Sequence, residues 1–189
     1  MICDYNYALD PSVHIQRIFD KTDDVTLLID EAHHLTERLR EMLSGEVNGA
    51  ALRKLRTQAG KQLGRKHRLY QTLTLVLRAL EDLSVPEDAE EGRLEQLPQS
   101  LESSCQMLAE EWAEATELHI AAEERGEVTE AISGLMRFVR SLRRDAAGYA
   151  WLWQGKKTRT VKALALDTGA YFAEVTAGMR GVICFSATM

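Results

Sequence analysis

A short apolar run stands near each end of the chain, and more than a hundred residues of helical periodicity lie between the two. Val25-Thr-Leu-Leu-Ile29 follows Lys21-Thr-Asp-Asp24, and acidic residues come directly after it. Gly181-Val-Ile-Cys-Phe185 runs into Ser186-Ala-Thr-Met189. Runs of this length and composition read as buried strands of a parallel sheet covered on both faces. Ile2 to Tyr7 alternates weakly and predicts a third short strand. It stops before Asp10-Pro11, where Asp10 is a candidate helix cap and Pro11 takes a tolerated first-turn position. Two strands alone make a poor sheet. Either the chain is a piece of something larger, or its terminal strands pair with each other.

From Ala32 to about Trp153 apolar residues recur at spacings of three and four. Tyr70, Leu73, Leu77 and Leu80 form one stripe, and Leu101, Cys105, Leu108, Trp112, Ala115 and His119 another. The longest is Val128, Ile132, Leu135, Val139, Leu142, Ala146, Tyr149 and Trp153. Each puts an apolar stripe on one helix face. Breaks fall near Gly45, near Gly60 and Gly64, from Ser84 to Gly92 and around Gly126. The expected fold is therefore mainly α, with about four main helices in an antiparallel, bundle-like arrangement and short strands at the two termini. Trp112 and Trp153 belong to the stripes and are expected in the core, although Trp112, Trp151 and Trp153 could also stack on bases. Tyr149–Gln154 and Thr160–Leu166 flank Gly155-Lys-Lys and predict a hairpin. Thr168 to Met179 predicts a short helix.

The net charge of -6 conceals three blocks. Val47 to Leu80 holds eight basic residues and no acids; Glu81 to Glu130 holds sixteen acids and two basic residues; Ala131 to Lys162 holds eight basic residues and one acid. Such segregation can mark a nucleic-acid surface. Equally, the two signs can pair between neighbouring helices. Arg53, Lys54, Arg56, Lys61, Arg65, Lys66 and Arg68 are the candidates for phosphate contacts, which position a strand without reading its bases. Cys3, Cys105 and Cys184 are too scattered for a disulfide framework, which fits a reducing, cytoplasmic setting. Cys3 and Cys184 sit in apolar runs and should pack as small hydrophobes. No membrane span or signal peptide is visible.

The chemistry lies where Val25–Ile29 ends in Asp30-Glu31-Ala32-His33. A carboxylate at the carboxyl end of a buried parallel strand faces the crevice where α/β sheets bind nucleotides. Asp30 is placed to hold Mg2+, largely through water. Glu31 suits the base that orients an attacking water, with a share in the metal site. His33 suits a sensor of nucleotide state, and His34 a surface position. The same residues would also suit a plain helix start, with Asp30 as cap.

Four segments, in order, resemble the blocks of superfamily 2 helicases of the XPD/Rad3 and DinG type. They are Ile2-Cys-Asp-Tyr-Asn-Tyr-Ala-Leu-Asp-Pro11, Leu28-Ile-Asp-Glu-Ala-His33, Leu166-Asp-Thr-Gly169 and Gly181-Val-Ile-Cys-Phe-Ser-Ala-Thr188. They occupy both ends of the chain. The middle matches by position and helical character alone. The resemblance implies a fragment of an ATP-dependent 5′ to 3′ DNA helicase, a nucleotide-binding hydrolase of DNA repair type. Residues 1–35 and 155–189 would be pieces of an interrupted α/β motor domain. Residues 36–154 would be the helical Arch, under which single-stranded DNA passes. Asp30 and Glu31 would take the Mg2+ and water-activating roles of the DEAH box. His33 and the Ser186-Ala187-Thr188 segment would couple hydrolysis to DNA movement.

The sequence departs from that family's pattern in several places. His34 stands where many relatives carry Asn. No Gly-x-x-x-x-Gly-Lys-Ser/Thr occurs, since Gly60-Lys61-Gln62 lacks both the earlier Gly and the hydroxyl residue. The iron–sulfur cysteines of many relatives are also missing. ATP and Mg2+ are thus expected in an intact parent and not on this chain, which should not hydrolyse ATP by itself. The expected partners are single-stranded DNA and the remainder of the helicase polypeptide, with the acidic face as a candidate protein-binding surface and with no membrane. The competing reading is a stand-alone helical interaction protein that binds through the Glu81–Glu130 block.

Overall fold

The computed structural model describes residues 4, 6–12, 24–86, 88–115 and 118–187. They form two compact units, one from 1–43 with 165–189 and the other from 44–164. Residues 36–43 and 155–164 therefore fall on the other side of the boundaries expected at 35 and 154.

The first unit contains β1 (Thr26–Ile29) and β6 (Gly181–Cys184), paired in parallel with Thr26 opposite Gly181 and Ile29 opposite Cys184. The terminal strands thus pair with each other. The backbone ladder continues past them, as Phe185 N donates to Ile29 O and Ala32 N donates to Phe185 O. Helices α2 (Leu35–Leu43) and α7 (Thr168–Thr176) pack together in this unit. The Asp167 carboxylate caps α7 by accepting from Ala170 N at 3.0 Å. Expected burial on both strand faces is not found. Ile29 is buried, but Leu28 is 63% exposed and its register partner Ile183 55% exposed. Cys184, expected to be buried, is exposed. A two-strand sheet has too few neighbours to cover both faces.

The predicted N-terminal strand is also corrected. Asn6–Leu9 is a single helical turn, α1, with Ala8 and Leu9 buried and Leu9 O accepting the Tyr171 hydroxyl at 2.6 Å. Ile2, Cys3, Tyr5 and the helix expected after Pro11 lie outside the described residues. Asp10 accepts the backbone N–H of Ser12 at 2.7 Å in a turn.

The second unit holds the four long helices α3 (Gly49–Gln62), α4 (Arg68–Glu81), α5 (Gln99–Glu114) and α6 (Arg125–Ser141). The Asn48 carboxamide oxygen starts α3 by accepting from Ala50 N and Ala51 N, both at 3.1 Å. His67 Nδ1 caps α4 by accepting from Leu69 N. Leu52, Leu55, Leu69, Leu73, Leu80, Leu101, Leu108, Leu135 and Phe138 are fully buried and form the core. The breaks expected near Gly60 and Gly64 and around Gly126 fall where α3 ends at Gln62 and α6 begins at Arg125, with Gly60 and Gly126 themselves just inside those helices. Gly60 leaves room for the Tyr70 ring.

The bundle carries a sheet that the helical reading omits. β2 (Gly45–Asn48), β3 (Glu91–Leu94), β4 (Tyr149–Gln154) and β5 (Thr160–Ala165) form four strands in the order β2-β5-β4-β3. β4 and β5 are the predicted hairpin, turned by Gly155 at φ 94°. α6 ends at Ser141, so Tyr149 and Trp153 belong to β4 and not to the long helical stripe. Trp151 and Trp153 are buried, with Trp151 edge-on to Phe138 at 5.7 Å between centroids. Trp112 is half-buried. Burial raises the Tyr149 phenol above its ordinary value, and the nearby Arg144 and Arg140 partly offset this.

One guanidinium ties the hairpin to the bundle. Arg159 Nη1 donates to Leu80 O, Glu81 O and Leu83 O, the open carbonyls at the end of α4.

Candidate functional site

The loop after β1 places Asp30 to His33. Ile29 anchors it in the core, and Glu31 then takes a left-handed conformation, φ 52° and ψ 41°. Among the described residues Glu31 is the sole non-glycine with positive φ. Such a backbone is costly for a residue with a Cβ and concentrates at functional sites. The turn lets Asp30 Oδ1 accept the Glu31 amide at 2.8 Å. That hydrogen bond goes to the adjacent residue and not to the start of α2, so the plain helix-cap reading of Asp30 has no geometric support. A short 3-10 turn, Ala32–His34, follows.

His33 is the hub. Its Nδ1 lies 2.7 Å from Ser186 Oγ and 3.1 Å from Glu31 Oε2. A proton on Nδ1 satisfies the carboxylate and the hydroxyl oxygen together, and the network favours that tautomer. The Glu31 carboxylate, 54% exposed, is turned toward the imidazole in this arrangement. His34, as expected, is a surface residue, and its ring lies 3.9 Å from that of His33 between centroids. Ala187 is exposed beside Ser186, whereas Thr188 lies outside the described residues. The fold thus gathers Asp30, Glu31, His33 and Ser186 at the carboxyl ends of two parallel strands. No group of three or more metal-ligating side chains occurs among the described residues. The donor set is one open carboxylate, Asp30, with Glu31 beside it. Such a set fits Mg2+ that keeps most of its water and takes further oxygens from a phosphate ligand.

The candidate phosphate contacts divide into two groups. Arg53 pairs with Glu81 at 2.9 Å, Lys54 with Glu127 at 2.7 Å and Arg68 with Glu111 at 2.5 Å. The charge blocks therefore pair between neighbouring helices at these three residues. Arg56 is half-buried, and Lys61, Arg65 and Lys66 are exposed; none of the four has an ion-pair partner among the described residues.

Two neutral residues that the sequence did not single out hold the segment between α5 and α6. Gln62 Nε2 donates to His119 O at 2.8 Å, and His119 N donates to Gln62 Oε1 at 2.9 Å. One turn earlier on α3, Gln58 donates to Glu124, and Lys54 a turn before that holds Glu127. The spacing 54, 58, 62 was the available signal, a polar stripe beside the apolar one.

No protein-family model and no curated protein matches the sequence. Solved structures do. The S. tokodaii Xpd4 structure matches 97% of this chain with a TM-score of 0.55 at 13% identity, and the match covers 39% of that chain. An apo XPD structure matches 95% of this chain with a TM-score of 0.53 at 14% identity, over 33% of its own length. This chain therefore spans well under half of the chains it is similar to. At such identities the likeness is one of fold: nearly the whole of this chain has an XPD-like fold and corresponds to a part of those larger chains.

Proposed function

We propose that this chain is the stretch of an ATP-dependent 5′ to 3′ DNA helicase that runs from the DEAH box to the Ser-Ala-Thr motif. The observation that carries the reading is the bond between His33 and Ser186, made where β1 and β6 pair in parallel. The two motifs that the resemblance assigns to one coupling device are thereby neighbours in space. In this reading 1–43 and 165–189 are motor-domain pieces, and 44–164 is the Arch-like unit that contacts single-stranded DNA. Asp30 would hold Mg2+ through water, and Glu31 would leave His33 to orient the attacking water when nucleotide is present. His33 and Ser186 would sense that change. The chain has no P-loop sequence, so the phosphates of ATP need groups from the remainder of the helicase polypeptide.

The interaction-module reading is weakened by the structure of the acidic block. Glu81, Glu90, Glu111, Glu124 and Glu127 are engaged inside the unit by Arg53, Lys156, Arg68, Gln58 and Lys54. Fewer carboxylates remain for a basic partner.

The coding sequence around this chain tests the proposal most directly. A P-loop upstream and a second motor domain downstream are expected, and their absence overturns it. On the 189-residue chain itself, ATP turnover should stay at background with or without DNA. Turnover that disappears on Glu31→Gln would contradict the assignment of the missing half of the site to other polypeptide.

A further inference from the structure

The seven basic residues of α3, the following turn and the start of α4 are not equivalent. Arg53, Lys54 and Arg68 each hold a carboxylate. A cation already paired gains little from a phosphate, because the existing contact must first be broken and its carboxylate repels the incoming anion. Arg56 is half-buried. Lys61, Arg65 and Lys66 remain. Lys61 is in the last turn of α3, and Arg65 and Lys66 follow Gly64, whose φ of 87° turns the chain toward α4. All three are exposed, and none has an ion-pair partner among the described residues. They project from one end of one helical hairpin. The amino end of α4 adds its partial positive charge at the same place.

We infer that the turn between α3 and α4, through Lys61, Arg65 and Lys66, is the phosphodiester-backbone contact of the helical unit. This rests on the reading of the chain as a DNA-handling fragment and assigns that contact to a place in the unit. A hollow of about 420 Å³ beside the turn is lined by Lys66, Arg68, Glu111 and Glu114 among others. Its carboxylates repel a phosphate from inside it, so the strand runs along the outer side of the turn. Recognition is independent of sequence, since lysine and arginine on phosphate read no bases.

The test uses the 189-residue chain and a fluorescein-labelled oligothymidine at low salt. Anisotropy should report weak binding, with log K falling against log salt at a slope of about -2, as three single-strand phosphate contacts require. The Lys61→Gln/Arg65→Gln/Lys66→Gln variant should lose at least about tenfold in affinity and most of that slope. Arg53→Gln/Lys54→Gln should bind within about twofold of the parent, because those cations are already paired. Lysine acetylation read by mass spectrometry gives a measurement free of substitution. Bound oligonucleotide should protect Lys61 and Lys66 and leave Lys54 unprotected. DNA binding that the triple variant retains, with no protection at Lys61 and Lys66, overturns the assignment and leaves the DNA reading standing. Failure of the parent chain to bind DNA, with or without capture of polyglutamate in its place, overturns both.

Discussion

His33 Nδ1 lies 2.7 Å from the Oγ of Ser186, a residue 153 positions further along the chain. Nothing local holds them together. The contact follows from the parallel register of β1 and β6, which sets Ile29 opposite Cys184 and brings the loops after both strands to one end. A double-mutant cycle with His33→Ala and Ser186→Ala should therefore show a coupling of about 0.5–1 kcal/mol, the range of a partly exposed hydrogen bond. Urea unfolding followed by circular dichroism would measure it. Strict additivity would mean that the two side chains do not meet in solution.

Gly45 on β2 lies against the backbone of α6. A Cβ there would run into Phe138 N, Arg137 C and Gly134 O, which are main-chain atoms that no rotamer change can move. Gly45→Ala should cost about 3 kcal/mol or more, or abolish folding. Gly126→Ala is the control. It lies in α6 with open space where a Cβ would go, and alanine there should leave stability unchanged or raise it by up to about 1 kcal/mol. Thermal melts of the two variants separate the effects. Equal losses would show that the β2–α6 approach is looser than described.

The same pair of elements explains what the sequence revealed and what it hid. The four long helices were legible because their buried residues follow a strong three-and-four period, as in Leu69, Leu73, Val76, Leu77 and Leu80. β2 and β3 were not. Gly45-Glu-Val-Asn48 and Glu91-Gly-Arg-Leu94 each contribute one large apolar side chain to the core, Val47 and Leu94, and their glycines read as breaks. What makes them strands is close packing from outside, the α6 backbone against Gly45 and the Trp153 indole against Gly92. At the site, Asp30 to His33 and Ser186 were legible as a residue pattern bounded by strands. The left-handed turn at Glu31 was not, because residue type does not encode positive φ in a residue with a Cβ. Ion pairing of Arg53, Lys54 and Arg68 was legible as one of two alternatives, and only the packing of neighbouring helices decides which cations it takes.

Burial pushes the Cys105 thiol far above its ordinary value of 9.0, since the thiolate would lose its hydration inside the bundle. The native protein should therefore leave Cys105 unmodified by an aromatic disulfide reagent while the exposed Cys184 reacts at once. A Cys3→Ser background makes the count unambiguous. The same shift has a consequence for stability. With the folded value raised, the contribution is complete below about pH 9, where both states hold the proton. Above that, the unfolded thiol ionises and the folded one does not, so stability falls with rising pH. Cys105→Ala should flatten the alkaline limb of a urea-midpoint profile, after allowing for its own loss of packing. An unchanged limb, or fast native labelling of Cys105, would contradict the burial.

Arg159 joins the hairpin turn to the end of α4 through its side chain and to the start of α3 through its backbone. Its Nη1 donates at 3.2, 2.7 and 2.9 Å to Leu80 O, Glu81 O and Leu83 O, and its own carbonyl accepts from Gly49 N at 3.2 Å. The backbone half of this link survives any substitution, so only the guanidinium half is tested. Arg159→Ala should cost about 1.5–3 kcal/mol, because it strips a charged donor from carbonyls at a helix end. Arg159→Lys should recover only part of that loss, as an ammonium keeps the charge but sits on a shorter side chain than the Nη1 that makes all three contacts. Amide exchange supplies a local readout that bulk stability does not. Protection should fall first in the last turn of α4, at Arg78 to Glu81, and in the hairpin turn 155–159, while the amino-terminal turns of α4 keep theirs. Uniform loss of protection along α4 would mean that Arg159 supports the unit as a whole and does not fasten the hairpin to the end of one helix.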